Sequence, residues 1–286
     1  MGRFIQLVMG PAGVGKSSYC KTIQEHGRAN KRIIHVANLD PACDTYDYDA
    51  AFDIKDLIDI DTVMEDQGYG PNGGLIYCME FLVRNLDWYD KTVYKLCITF
   101  NNISTTILFI TSSNCVNYLC RLKDALDEFG EDEYILLDCP GQVELYSHLP
   151  VMHNIAKALE SWGYRTVGVY LLDALFVLEP SKFISGCLLS LSCMLQLELP
   201  HINVITKCDI ADKERVASIL DCEGSSAITR LFDATTNNVK MKNLTRAMGS
   251  VIDDYMLVSF VMLDVSDEET IEEVMLRTDH CVQYGE

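Results

Sequence analysis

The chain has 286 residues, is 49% hydrophobic and carries a formal net charge of −19. That length fits one large α/β domain or two small ones. Such acidity excludes a broad nucleic-acid surface, which needs Lys and Arg to neutralise phosphates, and leaves room only for a small anion in a local pocket.

The N-terminal residues lack a basic stretch followed by an apolar one, so no secretory signal is expected. Met1-Gly2-Arg3 lacks the Ser or Thr of a myristoylation site. The twelve cysteines are scattered, with no C-x-x-C pair and no metal-ligand spacing. They read as reduced packing residues in a reducing compartment, where the sequons at Asn102 and Asn243 go unused.

A short apolar run, Phe4 to Met9, predicts a first strand, and Gly10-Pro11 ends it. Gly10-Pro11-Ala12-Gly13-Val14-Gly15-Lys16-Ser17 then spells G-x-x-x-x-G-K-S, followed by a predicted helix from Ser17 to Glu25. Strand, glycine-rich turn and helix in that order are the context a phosphate-binding loop requires. The backbone amides of Gly13, Val14, Gly15, Lys16, Ser17 and Ser18 are candidates to surround phosphates at a helix start, where the dipole favours negative charge. Lys16 would reach the β and γ phosphates, and the Ser17 hydroxyl would sit on Mg²⁺.

A second strand is expected over Arg32 to Ala37. Asp40, just beyond it in Asn38-Leu39-Asp40-Pro41-Ala42, is either a turn residue or a switch carboxylate near the metal and the attacking water. Gly70-Pro71-Asn72-Gly73-Gly74 is too rich in Gly and Pro for a helix or central strand, and reads as a shaped loop leading into a helix over Leu75 to Trp88. Asn72 on this reading either caps that helix or touches chemistry. Thr92 to Cys120 breaks the rhythm: too polar and interrupted for a membrane span, it is a hairpin, a loop or sequence foreign to the fold.

Tyr134 to Asp138 is the third predicted strand, and Asp138-Cys139-Pro140-Gly141-Gln142 ends it. A carboxylate at a strand end beside a phosphate loop can hold Mg²⁺, usually through water; the alternative is a capping Asp followed by a turn. Gly141 can turn its amide to a γ-phosphate, and Gln142 can orient water. Further strands are predicted over Thr166 to Asp173, His201 to Thr206 and Leu257 to Leu263, separated by helical patterns at Val151–Trp162, Ser181–Leu197, Lys213–Leu220 and Leu244–Asp254. The strands are continuously apolar, as strands buried on both faces are. Thr206-Lys207-Cys208-Asp209 resembles the N-K-x-D guanine motif with Thr for Asn. Asp209 would accept from guanine N1–H and N2–H₂, a donor pair that adenine lacks, while the Lys207 stem packs along the base. The fold expected is an α/β P-loop NTPase: a doubly wound, mostly parallel sheet with helices on both faces, as one domain over 1–286.

These motifs together resemble the GPN-loop GTPases, a family in the same P-loop class as the signal-recognition and septum-site nucleotide hydrolases. The resemblance covers nearly the whole chain, through G-P-A-G-V-G-K-S-S, L-D-P-A, G-P-N-G-G, D-C-P-G-Q-V-E-L-Y-S-H-L-P-V-M and T-K-C-D. The opening M-G-R-F-I-Q and the terminal Q-Y-G-E look most like the third eukaryotic subfamily. It implies a GTPase whose Gly70, Pro71 and Asn72 loop crosses a dimer interface, with Asn72 supplied in trans to the phosphoryl group in flight. ATPases of the class often put a second Lys after the first loop glycine; Pro11 stands there instead, so another donor is needed. The catalytic set so implied is Lys16, Asp40, Asn72 and Gln142, with Ser17 and Asp138 on Mg²⁺ and GTP as substrate.

The resemblance further implies a heterodimer with another GPN-loop paralogue, or a homodimer. RNA polymerase II subunits or assembly factors are the implied clients, with no direct nucleic-acid or membrane contact. The implied setting is the cytoplasm, with shuttling to the nucleus and a role in polymerase assembly and import. Two features depart from the family. Removing Thr92 to Cys120 joins Asp87-Trp88-Tyr89-Asp90 to Arg121-Leu122-Lys123-Asp124 as one family-like segment, which makes 92–120 an insertion or translated intron sequence. Thr206 removes the Asn amide that steadies neighbouring loops in other GTPases. The competing readings are a P-loop kinase of nucleotides or polynucleotide ends, which would need an Arg-rich lid that this sequence lacks, and a non-hydrolysing GTP-bound scaffold, against which Asp40 and Gln142 speak.

Overall fold

A computed structural model of the protein describes residues 3–84, 121–130, 133–220, 239–255 and 259–285. The expected insertion at 92–120 lies outside the described residues.

The strands are β1 (Arg3–Met9), β2 (Ile34–Asn38), β3 (Ala50–Asp53), β4 (Tyr134–Asp138), β5 (Tyr164–Asp173), β6 (His201–Thr206) and β7 (Phe260–Met262). They form one seven-stranded sheet in the order β3-β2-β4-β1-β5-β6-β7. Every pairing is parallel. The helices are α1 (Lys16–Ala29), α2 (Ile60–Gln67), α3 (71–84), α4 (Arg121–Asp127), α5 (Glu144–Ser147), α6 (Val151–Ser161), α7 (Ala174–Val177), α8 (Pro180–Leu197), α9 (Lys213–Leu220), α10 (Val239–Tyr255) and α11 (Glu268–Val282).

Alternation along β1 explains the apolar runs. Ile5, Leu7 and Met9 face a core shared with α2, α3, α6 and α8, while Phe4 and Val8 face one built with α1 and α11. Both faces are therefore covered, as parallel sheets require. Six of the eight free cysteines among the described residues, Cys20, Cys78, Cys139, Cys187, Cys193 and Cys208, are buried as packing residues. No helix among the described residues is long and apolar enough to cross a membrane.

Six of these elements were not expected: the short helices α4, α5 and α7, and three others, β3, α2 and α11. β3 is a four-residue edge strand, partly exposed, with no apolar run to betray it. α2 is capped at its start by Asp59, whose carboxylate accepts from the Thr62 amide, and at its end by Gly68 with φ 68. α11 is capped by Asp267 and buries Ile271, Val274, Met275, Thr278 and Val282 at helical spacing. Its Asp279 takes both guanidinium nitrogens of Arg32 at 2.7 Å. Arg32 also lies over the rings of Tyr134 and Tyr284, at 4.5 and 3.8 Å from their centroids. This clasp fixes α11 against the β2 side of the sheet.

Candidate functional site

The sheet aligns its strand ends. Asp138 sits in register with Val8 on one side and Asn38 on the other, and Asp173 with Thr206. The loops after β1, β2, β4, β5 and β6 therefore emerge on one edge. For open parallel sheets that edge is where ligands bind.

The loop after β1 needs its glycines for different reasons. Gly13 and Gly15 have φ of 76 and 96, in the left-handed region, with open space around them. Gly10 has φ 143, and a side chain there would stand 2.6 Å from the Leu171 carbonyl oxygen. α1 starts at Lys16 with no acidic residue of its own in the first turn, so no side chain of that turn competes for its free amides. Lys16 is buried and its ammonium donates to the Gly10 and Pro11 carbonyls, each at 3.3 Å. Val14 takes another part: its side chain is buried in the core and its amide turns back to the Pro11 carbonyl at 3.4 Å.

Ser17 donates to Asp138 Oδ2 at 2.8 Å. Asp138 is almost wholly buried, and burial pushes its carboxyl upward; Ser17, Lys16 and Tyr48 pull it back, and Asp40 pushes it further up. Asp40 is raised by burial too, against the Ala42 amide, the Lys16 charge and the Gly141 amide. Two desolvated carboxylates facing one ammonium make a place where added positive charge is favoured. Asn38 shapes the turn, accepting from the Asp40 amide at 3.0 Å and donating to the Asp40 carbonyl at 3.1 Å. Gly141 rests on the phosphate loop: a side chain would stand 2.8 Å from Ala12 Cα.

Together these residues line a cleft of about 590 Å³, bounded by Gly13, Lys16, Ser17, Asp40, Asp138 and Gln142. Gly15, Ser18, Gly141 and Lys207 also reach it, as does Leu75 from α3.

The T-K-C-D turn closes the far side. Thr206 is buried, and its hydroxyl lies 2.7 Å from the Val14 carbonyl and 3.3 Å from that of Leu172. The Asn amide of other GTPases is absent here, and the Thr206 hydroxyl ties this strand to the phosphate loop. Lys207, at φ 60, donates to Asp173 at 2.7 Å. Cys208 is buried in the core. Asp209 is exposed and does not line the phosphate cleft.

The Gly70-Pro71-Asn72 segment differs from the expected loop. The helix begins at Pro71, whose missing amide costs nothing at a first helical position. The Gly74 amide closes the first turn on the Gly70 carbonyl at 2.8 Å. Asn72 lies inside that turn, so it is not the cap. Its side chain is exposed, has no hydrogen-bond partner among the described residues and does not line the cleft of its own chain.

Sequence reasoning missed Tyr48, which donates to Asp138 Oδ2 at 3.1 Å, and Asp173, the partner of Lys207. Tyr48 sits ten residues past β2 in a polar loop and carries no local signal of its partner.

A family described as a conserved hypothetical ATP binding protein matches this chain over residues 8–100 and 105–284. Proteins named GPN-loop GTPase 3 align over the whole chain: 40% identical in Dictyostelium discoideum across 89% of that protein, and 41% in Xenopus tropicalis across 90%. The one from Saccharomyces cerevisiae is 35% identical across 94% of its length. A crystal structure described as a GTPase in apo form from Pyrococcus abyssi superposes with a TM-score of 0.66 at 19% identity, covering 97% of both chains. At that identity it shows the shared fold alone, a parallel α/β sheet. On relatives this similar along its full length, the chain belongs to the GPN-loop GTPase family.

Proposed function

We propose that this chain binds and hydrolyses GTP as one half of a dimeric switch. The observation that carries the reading is the Ser17–Asp138 pair beside Lys16 at the mouth of the phosphate loop. The loop amides and Lys16 bind the phosphates.

A hydroxyl and a buried carboxylate make an all-oxygen donor set suited to Mg²⁺. Among the described residues no group of three or more His, Cys, Asp or Glu could hold a metal. Ser17 and Asp138 would therefore hold the ion together with phosphate and water oxygens. An ion held by these two residues would supply positive charge to the phosphates. Asp40 and Gln142, both on the cleft wall, orient the attacking water, and the Gly141 amide meets the γ-phosphate. Lys207 and Asp209 take the base, Asp209 with a carboxylate free to accept from guanine.

Asn72 points to a second chain: exposed and unpartnered, it is the amide that a dimer would deliver to the partner's cleft. That partner is another GPN-loop paralogue or a second copy. By family likeness the complex serves assembly and nuclear import of RNA polymerase II, moving between cytoplasm and nucleus. We read 1–286 as one GTPase domain, interrupted at 92–120.

The test is nucleotide titration and turnover with the purified chain, alone and with a candidate paralogue. GTP should bind and turn over in preference to ATP. Asp209→Ala should weaken GTP binding at least about 10-fold, since each charge-assisted bond contributes about 1.5–3 kcal/mol, and leave ATP binding unchanged. Equal losses for both nucleotides would refute the guanine assignment. Absence of polymerase subunits from the purified cellular complex would refute the assembly role.

A further inference from the structure

Tyr48 is a buried tyrosine on the loop after β2, and it reaches across to the end of β4. Its hydroxyl and that of Ser17 both meet Asp138 Oδ2, at 3.1 and 2.8 Å. An ionised carboxylate only accepts, so both hydroxyls donate. Oδ1 of Asp138 has no hydrogen-bond donor among the described residues.

The position of the Tyr48 hydroxyl is over-determined. Its ring stacks on Tyr46, with centroids 4.6 Å apart and planes 10° from parallel. The Tyr46 hydroxyl donates to Asp53 at 3.0 Å, and Asp53 also receives the Asn38 amide at 2.9 Å. The next residue, Asp49, is held from α1: the Gln24 amide group donates to its carbonyl and accepts from its backbone amide, each at 3.0 Å. At the other end of the loop the Leu39 amide donates to the Asp138 carbonyl at 2.8 Å. The loop after β2 is thus fastened to Asp138 at both ends, by main chain at one and by a phenol at the other.

We propose that Tyr48 is the positioning residue of the metal carboxylate: by occupying Oδ2 together with Ser17, it fixes the Asp138 rotamer and turns Oδ1 toward the ion's water. This rests on the reading of Ser17 and Asp138 as the Mg²⁺ side of the cleft. Partners that orient a metal-binding carboxylate matter nearly as much as the ligand, and their loss typically costs about 10–100-fold in metal affinity or activity.

The test is Tyr48→Phe, which keeps the ring, its stacking and its burial and removes one hydroxyl. Guanine-nucleotide affinity is measured in EDTA and across a Mg²⁺ titration. Mn²⁺ is counted directly by the loss of its free-ion electron paramagnetic resonance signal in the presence of nucleotide. The expected result is a rise of about 10-fold or more in half-saturating Mg²⁺ and Mn²⁺, with affinity in EDTA unchanged. Tyr46→Phe, which loosens the same loop but leaves the Tyr48 hydroxyl, should keep the wild-type metal requirement. An unchanged metal requirement in Tyr48→Phe would overturn the proposal, as would an equal shift in Tyr46→Phe. Wild-type nucleotide binding that ignores both metals would instead remove the reading of Ser17 and Asp138, and the proposal with it.

Discussion

Thr206→Val probes the tie between the base side and the phosphate side of the cleft. The hydroxyl has one proton, and its nearer acceptor is the Val14 carbonyl at 2.7 Å, in a site that is 4% exposed. Valine has nearly the same shape, so packing is preserved and only the bond is lost. A buried hydrogen bond contributes about 0.5–1.5 kcal/mol net, and a carbonyl deprived of its donor loses about 1–3 kcal/mol. Because the substitution leaves the buried carbonyl without its donor, the larger figure applies, about 1–3 kcal/mol.

Where that cost appears depends on what the bond does. If it holds the phosphate loop in its binding form, the loss lowers the competent fraction and weakens guanine-nucleotide affinity by about 5- to 150-fold. If it only holds β6 to the core, affinity stays and the melting point falls by on the order of 2–8 °C. The loop's three left-handed or special glycines leave it few other anchors, so the first outcome is expected. Thr206→Ser, which keeps the hydroxyl, should stay within about 3-fold of wild type, well below the full cost of a lost bond. Fluorescent-nucleotide titration and thermal melting on the same samples read both. Unchanged affinity and melting point in Thr206→Val would refute the reasoning.

Asn72→Ala should leave nucleotide affinity and melting point intact and slow single-turnover hydrolysis by about 10²–10³-fold, as loss of a transition-state donor does; a lowered melting point with normal hydrolysis would refute it. Gly141→Ala would drive a methyl group to 2.8 Å from Ala12 Cα. Overpacking of this kind costs about 1–3 kcal/mol, here read as weaker nucleotide binding, and normal binding would show that the two loops separate freely. His201 buries both ring nitrogens, and burial, opposed in part by Asn203, lowers its pKa from 6.5 to about 4. Between those values the unfolded chain takes up a proton that the folded chain refuses, so stability falls as pH drops through that window, by up to about 3 kcal/mol. His201→Phe should flatten the urea-midpoint difference between pH 7 and pH 5, and an unchanged difference would refute the assignment.

The chemistry that was legible in the sequence was local or sat at the end of an apolar run. Gly10 to Ser17 announces itself within eight residues, and Asp138 and Thr206 stand at the ends of strands whose apolar runs mark where the sheet stops. β3 was hidden because an edge strand of Ala50-Ala51-Phe52-Asp53 buries little and has no pattern to read. The helix at Pro71 was hidden because two glycines, Gly73 and Gly74, fall inside its first turn. Gly74 is there for closeness, since a side chain would stand 2.9 Å from Met64 Cγ of α2. Tyr48 was hidden for a different reason: its partner is 90 residues away, and no spacing rule connects a loop tyrosine to a strand-end aspartate.

The strand order has a consequence for synthesis. β4 lies between β1 and β2 in the sheet, although both precede it in the chain by about a hundred residues. Until Tyr134–Asp138 has left the ribosome, β1 and β2 have no neighbour to separate and align them, and their exposed edges are open to wrong pairings. The phosphate loop is among the first segments made, yet it gains Asp138 only when the sheet's middle is filled and Thr206 later still. A nascent chain shorter than about half the protein therefore carries the whole Gly10–Ser17 sequence with no site around it. Nucleotide binding begins as a late folding event, whose closure over long loops is slow.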